Sequence, residues 1–329
     1  MMMPARTTLL AAALGLSAGL VSAEELKLAD YQPSTHPYAT GVYVPFAEEI
    51  AAATDGAVTV RAYMGGELGA GPAEQYNRVV DGVTDLAFGL PGYTAANFPK
   101  TLLTELPGVI NAETGTARLI ANLDALSSEY RRVVLIGLWN NAPNLLFMAD
   151  TPVRSPSDLA GKKIRVPSRN AGLIIEAWGA TPVSMPVSEI YNSMQTGIID
   201  GAFIDGTATS VFRLSEVTDY ITTGMDSVLS SFFLLMNRDS FRDLTEDQQA
   251  AVLAAGREAS VRGNAVQLAG AEKGLAEFAA LPDKEIIVLT PDEAEAFNAA
   301  AVPVVEKVLD EAEAKGLEAR AFVAALQAD

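Results

Sequence analysis

Several short stretches of the chain alternate between apolar and polar positions. "LKLADY" near the start, "VTVRAY" at 58–63, "KKIRVP" at 162–167 and "EIIVL" at 285–289 carry the period-two pattern of strands with one buried face. Between and after them the period lengthens to that of helices. Thr245 with Gln248 forms a capping box, and the helical pattern then runs from about 246 to 280, roughly 50 Å of helix. Gly256, Gly263, Gly270 and Gly274 lie along it, where they can kink the helix or admit a neighbouring backbone. A second capping box at Thr290–Glu293 opens a further helical region, with breaks expected near Pro303 and Gly316.

One pattern occurs twice. Residues 74–88 read EQYNRVVDGVTDLAF and residues 189–203 read EIYNSMQTGIIDGAF, so Glu, Tyr, Asn, Gly, Asp, Ala and Phe coincide without a gap. Each copy reads as a helix closed by glycine (Gly82, Gly197) and followed by a short buried strand. A strand precedes each, 58–63 in the first copy and 162–167 in the second. Such units require a parallel crossover, which predicts two α/β lobes built alike, each a mainly parallel sheet flanked by helices. Ligands of open α/β sheets bind beyond the carboxyl ends of strands, so "GLPGY" (89–93) and "IDGT" (204–207) become equivalent rims of one crevice. The expected division is 24–147 plus about 236–275 in one lobe and 148–235 plus about 276–329 in the other, with the long helix spanning both.

Composition removes most other functions. Residues 1–23 carry Arg6, an apolar run and Val21-Ser22-Ala23, the pattern of a cleaved export signal, so the mature chain is expected to be exported. The 329-residue chain has a formal net charge of -18, so nucleic acid and anionic membranes are poor partners. It has no cysteine and one histidine, which excludes disulfides and His/Cys zinc sites. His36, in "PSTHPYA", reads as a loop or helix-cap residue. No G-x-S-x-G elbow, phosphate-binding loop or dinucleotide fingerprint is present, and no acid/base pair stands at usable spacing. No enzyme, metal or cofactor is expected.

"SPSDLAGKKIRVPS", "GATPVSMPVSEIYNSMQTGIIDGAF" and "GGELG…DGVTDLAF" resemble the DctP-type solute-binding proteins of tripartite ATP-independent periplasmic (TRAP) transporters, over nearly the whole mature chain. The resemblance implies two lobes that close by a hinge over an organic acid, delivery of that acid to the transporter's membrane subunits, and a monomer. It also implies that Arg165 pairs with the ligand's carboxylate. Read from the residues alone, Arg165 has two uses: pairing with a ligand, or an internal ion pair with Glu189 or Asp200. Tyr31, Tyr93, Trp139, Asn140, Asn141, Phe203, Asp205 and Phe232 complete the candidate site. Asp205 leaves room for a ligand amine or a bridging cation. Sialic-acid-binding members carry a second arginine upstream of the "GKKIR" stretch and a glutamate where this chain has Leu90, so sialic acid is not the expected ligand. A smaller monocarboxylate with an apolar or aromatic body fits one arginine among Tyr, Trp and Phe. A ligand-sensing module and a secreted lyase are the alternative functions.

Overall fold

The computed structural model describes residues 23–328; the expected export signal, save Ala23, lies outside them. Eleven strands are described, β1 Glu24–Ala29, β2 Val58–Tyr63, β3 Leu86–Gly89, β4 Val134–Asn140, β5 Leu145–Met148, β6 Lys163–Val166, β7 Thr181–Ser184, β8 Gly201–Ile204, β9 Tyr220–Thr223, β10 Ser231–Met236 and β11 Glu285–Val288. They form two sheets, in the orders β2-β1-β3-β10-β4 and β11-β9-β5-β8-β6-β7. In each, one strand runs antiparallel to its neighbours: β10 in the first sheet and β5 in the second. Both are the strands by which the chain enters that lobe from the other.

The repeat is real, and its conserved letters do backbone work. Gly82 and Gly197 both adopt φ +69°, the left-handed turn that ends each repeat helix. Asp85 accepts a hydrogen bond from the Lys27 N–H at 2.8 Å, and Asp200 accepts one from the Lys163 N–H at 2.7 Å. Ala87 pairs with Ala29 on β1, and Ala202 pairs with Arg165 on β6. Strand β6 is therefore the counterpart of β1, not of β2 as expected. The strand that precedes the second repeat helix is β7, "TPVS", concealed in the sequence by Pro182; its edge position spares that proline a ladder bond.

The long helix spans Glu246–Ala279, with the Thr245–Gln248 capping box in place. Its glycines serve close approach. A Cβ added at Gly256 would stand 2.1 Å from the Ile136 carbonyl oxygen, and one at Gly263 2.6 Å from the Trp139 ring, both on β4. One at Gly274 would stand 2.4 Å from the Gly206 carbonyl oxygen in the second lobe. The helix thus lies against the backbone of both lobes.

The last helices depart from the expected division. Helix Pro291–Glu313 runs unbroken through Pro303, which sits on its solvent face, where water can meet the carbonyl the ring leaves unbonded. Its first half buries Ala294, Phe297 and Ala301 with Trp178 in the second lobe. Its second half buries Val308, Leu309 and Ala312 with Phe98 and Leu119 in the first lobe, joined there by Phe322 and Leu326 of helix Ala319–Gln327. The apolar stripe of this tail matches the first lobe's core, so residues beyond about 304 return to it.

Candidate functional site

The chain crosses between lobes at 141–144 and again at 224–230, and the two crossings are laced together. The Asn141 N–H donates to Ser230 O at 2.9 Å, Ser230 N–H donates to Asn141 Oδ1 at 2.7 Å, and Asn144 N–H donates to Val228 O at 3.1 Å. Above these crossings the carboxyl ends of β1, β3, β6 and β8 converge on a cavity between the lobes. The first lobe contributes Tyr31, Leu90, Tyr93 and Phe232 to its wall; the second contributes Arg165, Val187, Ile204 and Asp205.

Arg165 sits in the penultimate position of β6, and its side chain is only 2 % exposed. Nε donates to the Met185 carbonyl at 3.0 Å and Nη2 to the Tyr93 hydroxyl at 3.1 Å. Among the described residues no carboxylate lies within ion-pair distance of the guanidinium. Asp200 is turned to the Lys163 N–H, and Glu189 is exposed at the start of its helix, so neither proposed internal partner is used. Burial pulls the Arg165 pKa below its usual value, and the oxygens of Tyr93, Tyr31 and Asp205 partly oppose that shift. Among the described residues Nη1 has no hydrogen-bond acceptor. The Tyr93 hydroxyl, which also accepts from the Val187 N–H at 3.1 Å, bridges the lobes. With both its acceptor sites occupied, its own proton remains to be donated.

Asp205, 4 % exposed, is held by donors from three places. Oδ1 accepts from the Thr207 N–H at 3.0 Å and the Thr207 hydroxyl at 2.6 Å, and Oδ2 from Asn141 at 3.0 Å. The Gln267 amide on the long helix reaches both oxygens at 3.1 Å. Desolvation raises its pKa while these bonds lower it in part. A carboxylate so fully bonded ties crossing strand, helix and rim together. Among the described residues no group of three His, Cys, Asp or Glu side chains could hold a metal ion.

Six of the nine sequence candidates line the cavity: Tyr31, Tyr93, Asn141, Arg165, Asp205 and Phe232. Three do not, because strand alternation turns them inward. Trp139 is fully buried beneath the long helix, its indole N–H donating to Tyr38 at 2.9 Å. Asn140 is spent on Thr116, the Ala112 carbonyl and the Asn141 carbonyl. Phe203 packs edge-on against Trp178, ring centroids 5.5 Å apart, on the far face of its sheet. Sequence reasoning missed Gln32, His36 and Gln267 in the wall. His36 does sit in the loop before the first helix, its Nδ1 accepting from the Tyr38 N–H at 3.1 Å, but it is buried there, only 2 % exposed, and faces the cavity.

Two sheet-and-helix lobes, two laced crossings and a shared cavity define a two-lobed solute-binding protein. Residues 28–312 match the family described as bacterial extracellular solute-binding protein, family 7 (DctP), and the chain belongs to that family, whose members serve TRAP transporters. A relative from Albidiferax ferrireducens, named solute-binding protein, is 30% identical over 220 residues, 65% of this chain and 64% of the relative. The chain thus spans somewhat less than two thirds of that relative. Among solved structures, a marine metagenome TRAP solute-binding protein specific for aromatic acids, in complex with metahydroxyphenylacetate, is similar at TM-score 0.83 and 25% identity, covering 92% of this chain and 97% of that one. A TRAP periplasmic solute-binding protein of Bordetella bronchiseptica with bound mandelate is similar at TM-score 0.83 and 26% identity, with the same coverage of 92% and 97%.

Proposed function

We propose that this protein captures a small aromatic monocarboxylate in its interlobe cavity, in the periplasm, and presents it to the membrane subunits of a TRAP transporter. One observation carries the reading: a buried guanidinium with no carboxylate beside it among the described residues, and one amino group open to a cavity. Burying a charge without its counter-charge is costly, so the site is complete when an anion enters. The planar fork of Arg165 matches a carboxylate, and the free Tyr93 proton supplies a further donor beside it.

The remaining wall selects the body of that anion. Leu90, Val187, Ile204, Phe212 and Phe232 offer apolar surface, and Tyr31 adds a ring edge. A second carboxylate on the ligand would face the buried acid Asp205, whose oxygens are already bonded, so dicarboxylates fit less well, and sugar acids lack the apolar body that these side chains would cover. The ligands of the metagenomic and Bordetella structures, both aromatic acids, agree with this choice. Capture closes the lobes about the laced crossings at 141–144 and 224–230.

A thermal-shift panel tests the proposal. Benzoate and mandelate at a hundred times their dissociation constants add about 2.7 kcal/mol to the stability of the bound form and raise Tm. Succinate, glucuronate and sialic acid raise it less, and benzamide, lacking the charge, leaves it unmoved. A shift with benzamide equal to that with benzoate contradicts the role given to Arg165.

A further inference from the structure

Most polar side chains around the cavity bond one another. Three in the first lobe do not: the Tyr31 hydroxyl makes no hydrogen bond among the described residues, and His36 and Gln32 are incompletely bonded. His36 uses Nδ1 to accept the Tyr38 N–H, which fixes the proton on Nε2; that N–H has no acceptor among the described residues. Gln32, 4 % exposed, has a carboxamide oxygen with no partner, and its amide nitrogen makes no bond to the protein. Both residues line the cavity. They belong to the loop after β1, which reaches the long helix near Gly270: a Cβ there would lie 4.0 Å from Pro37. Arg165 reaches the same cavity from β6, in the other lobe.

We infer that His36 and Gln32 form a second recognition pole that takes a hydroxyl on the body of the ligand, accepting from His36 Nε2–H and donating to the Gln32 carboxamide. This rests on the aromatic-acid reading above and narrows it to hydroxylated acids. Burial pushes the imidazole pKa down to about 3, so His36 stays a neutral donor through the physiological range. Leaving two buried polar side chains unbonded against an unsubstituted ring has a cost that a hydroxyl removes. The stiff, aromatic surroundings of the loop, with the His36 and Tyr38 rings 4.4 Å apart, hold the donor in place.

Two substitutions divide the imidazole's two tasks. Asn at 36 can keep the bond to the Tyr38 N–H but cannot supply the distal donor; Gln can supply the distal donor but not the loop bond. Calorimetry with benzoate and its 2-, 3- and 4-hydroxy isomers reads the result. In the unmodified protein, at least one isomer binds about 3- to 10-fold tighter than benzoate. His36→Asn abolishes that advantage; His36→Gln keeps the advantage and lowers Tm. If benzoate binds but no isomer gains over it, or if His36→Asn keeps the gain, the second pole is refuted while the Arg165 site stands. If no aromatic acid binds, both readings fall. Should His36→Asn not fold, the isomer comparison in unmodified protein and His36→Gln still decide.

Discussion

The two lobes are built on one plan but carry different chemistry at equivalent points. Arg165 on β6 occupies the place of Ala29 on β1, each paired with the alanine of its repeat. Asp205 occupies the place of Leu90, one residue past the strand that ends each repeat. Both charges therefore belong to the second lobe, while the first lobe answers with alanine, leucine and a cluster of rings in which Phe88 meets Tyr31 and Phe232 at 5.8 and 5.2 Å. A shared frame fixes where strand ends lie; it leaves each lobe free to supply half of an amphipathic ligand's surroundings. Closure brings an apolar wall against a charge, and only a ligand with both a carboxylate and an apolar body satisfies the two halves at once.

The repeat contains the sharpest contrast. Tyr76 is 2 % exposed, its ring edge-on to Phe98 at 5.2 Å, whereas the matching Tyr191 is only half-buried at the edge of the second lobe's core, under Arg213 and bonded to Glu216 at 2.9 Å. Denaturant unfolding of Tyr76→Ala is expected to show a loss of about 3–5 kcal/mol. Tyr191→Ala is expected to cost less, about 1 kcal/mol. Equal losses would mean that the two lobes use this tyrosine alike.

Next in size is the seam between the lobes. Glu105 of the first lobe is 1 % exposed, and its Oε2 accepts from the Ser168 hydroxyl of the second at 2.5 Å, while Oε1 has no partner. Burial raises its pKa to about 8. The unfolded carboxyl ionises near its usual value of about 4.3, so its contribution is whole below that pH and is lost as pH rises through about 8. Stability measured from pH 4.5 to 8.5 should fall by a few kcal/mol through this group, and Glu105→Gln should flatten the decline. An unchanged pH profile in that variant would contradict a buried, protonated seam.

The long helix distinguishes the lobes more gently. Gly256→Ala sets a methyl against the Ile136 carbonyl and should cost about 1–3 kcal/mol in thermal unfolding. Gly270→Ala meets nothing nearer than the Thr207 methyl at 3.2 Å and should cost less. The smallest effect concerns the bridge to Arg165. Tyr93→Phe removes one acceptor of the guanidinium and one donor to the ligand, and calorimetry with benzoate should show about 3- to 10-fold weaker binding.

What was legible in the sequence follows from which residues act locally. Gly82, Gly197, Asp85 and Asp200 shape backbone within one unit, so their recurrence announced two similar lobes and the paired rims. The capping boxes at Thr245 and Thr290 fixed helix starts for the same reason. Strand β7 stayed hidden because Pro182 imitates a break, and helix 291–313 passes Pro303 because packing on two cores outweighs one missing bond. At the site, Arg165 stood out as a charge on a buried strand. Trp139, Asn140 and Phe203 were placed in the cavity because side-chain parity at a strand's end depends on which face the helices cover. His36, Gln32 and Gln267 come to the wall from a loop and a helix brought there by tertiary packing, which no local pattern records.

Calorimetric titration of benzoate into folded Arg165→Ala protein, with its Tm recorded alongside, tests the central claim that the guanidinium is reserved for a ligand carboxylate. The account predicts binding weaker by about 2–5 kcal/mol, roughly thirty- to several-thousand-fold, with Arg165→Lys between the variant and the unmodified chain. Tm without ligand should stay near that of the unmodified chain, since no protein carboxylate among the described residues loses a partner. Affinity within a few-fold of the unmodified protein, with a collapse in Tm, would show that Arg165 serves the fold and not the ligand.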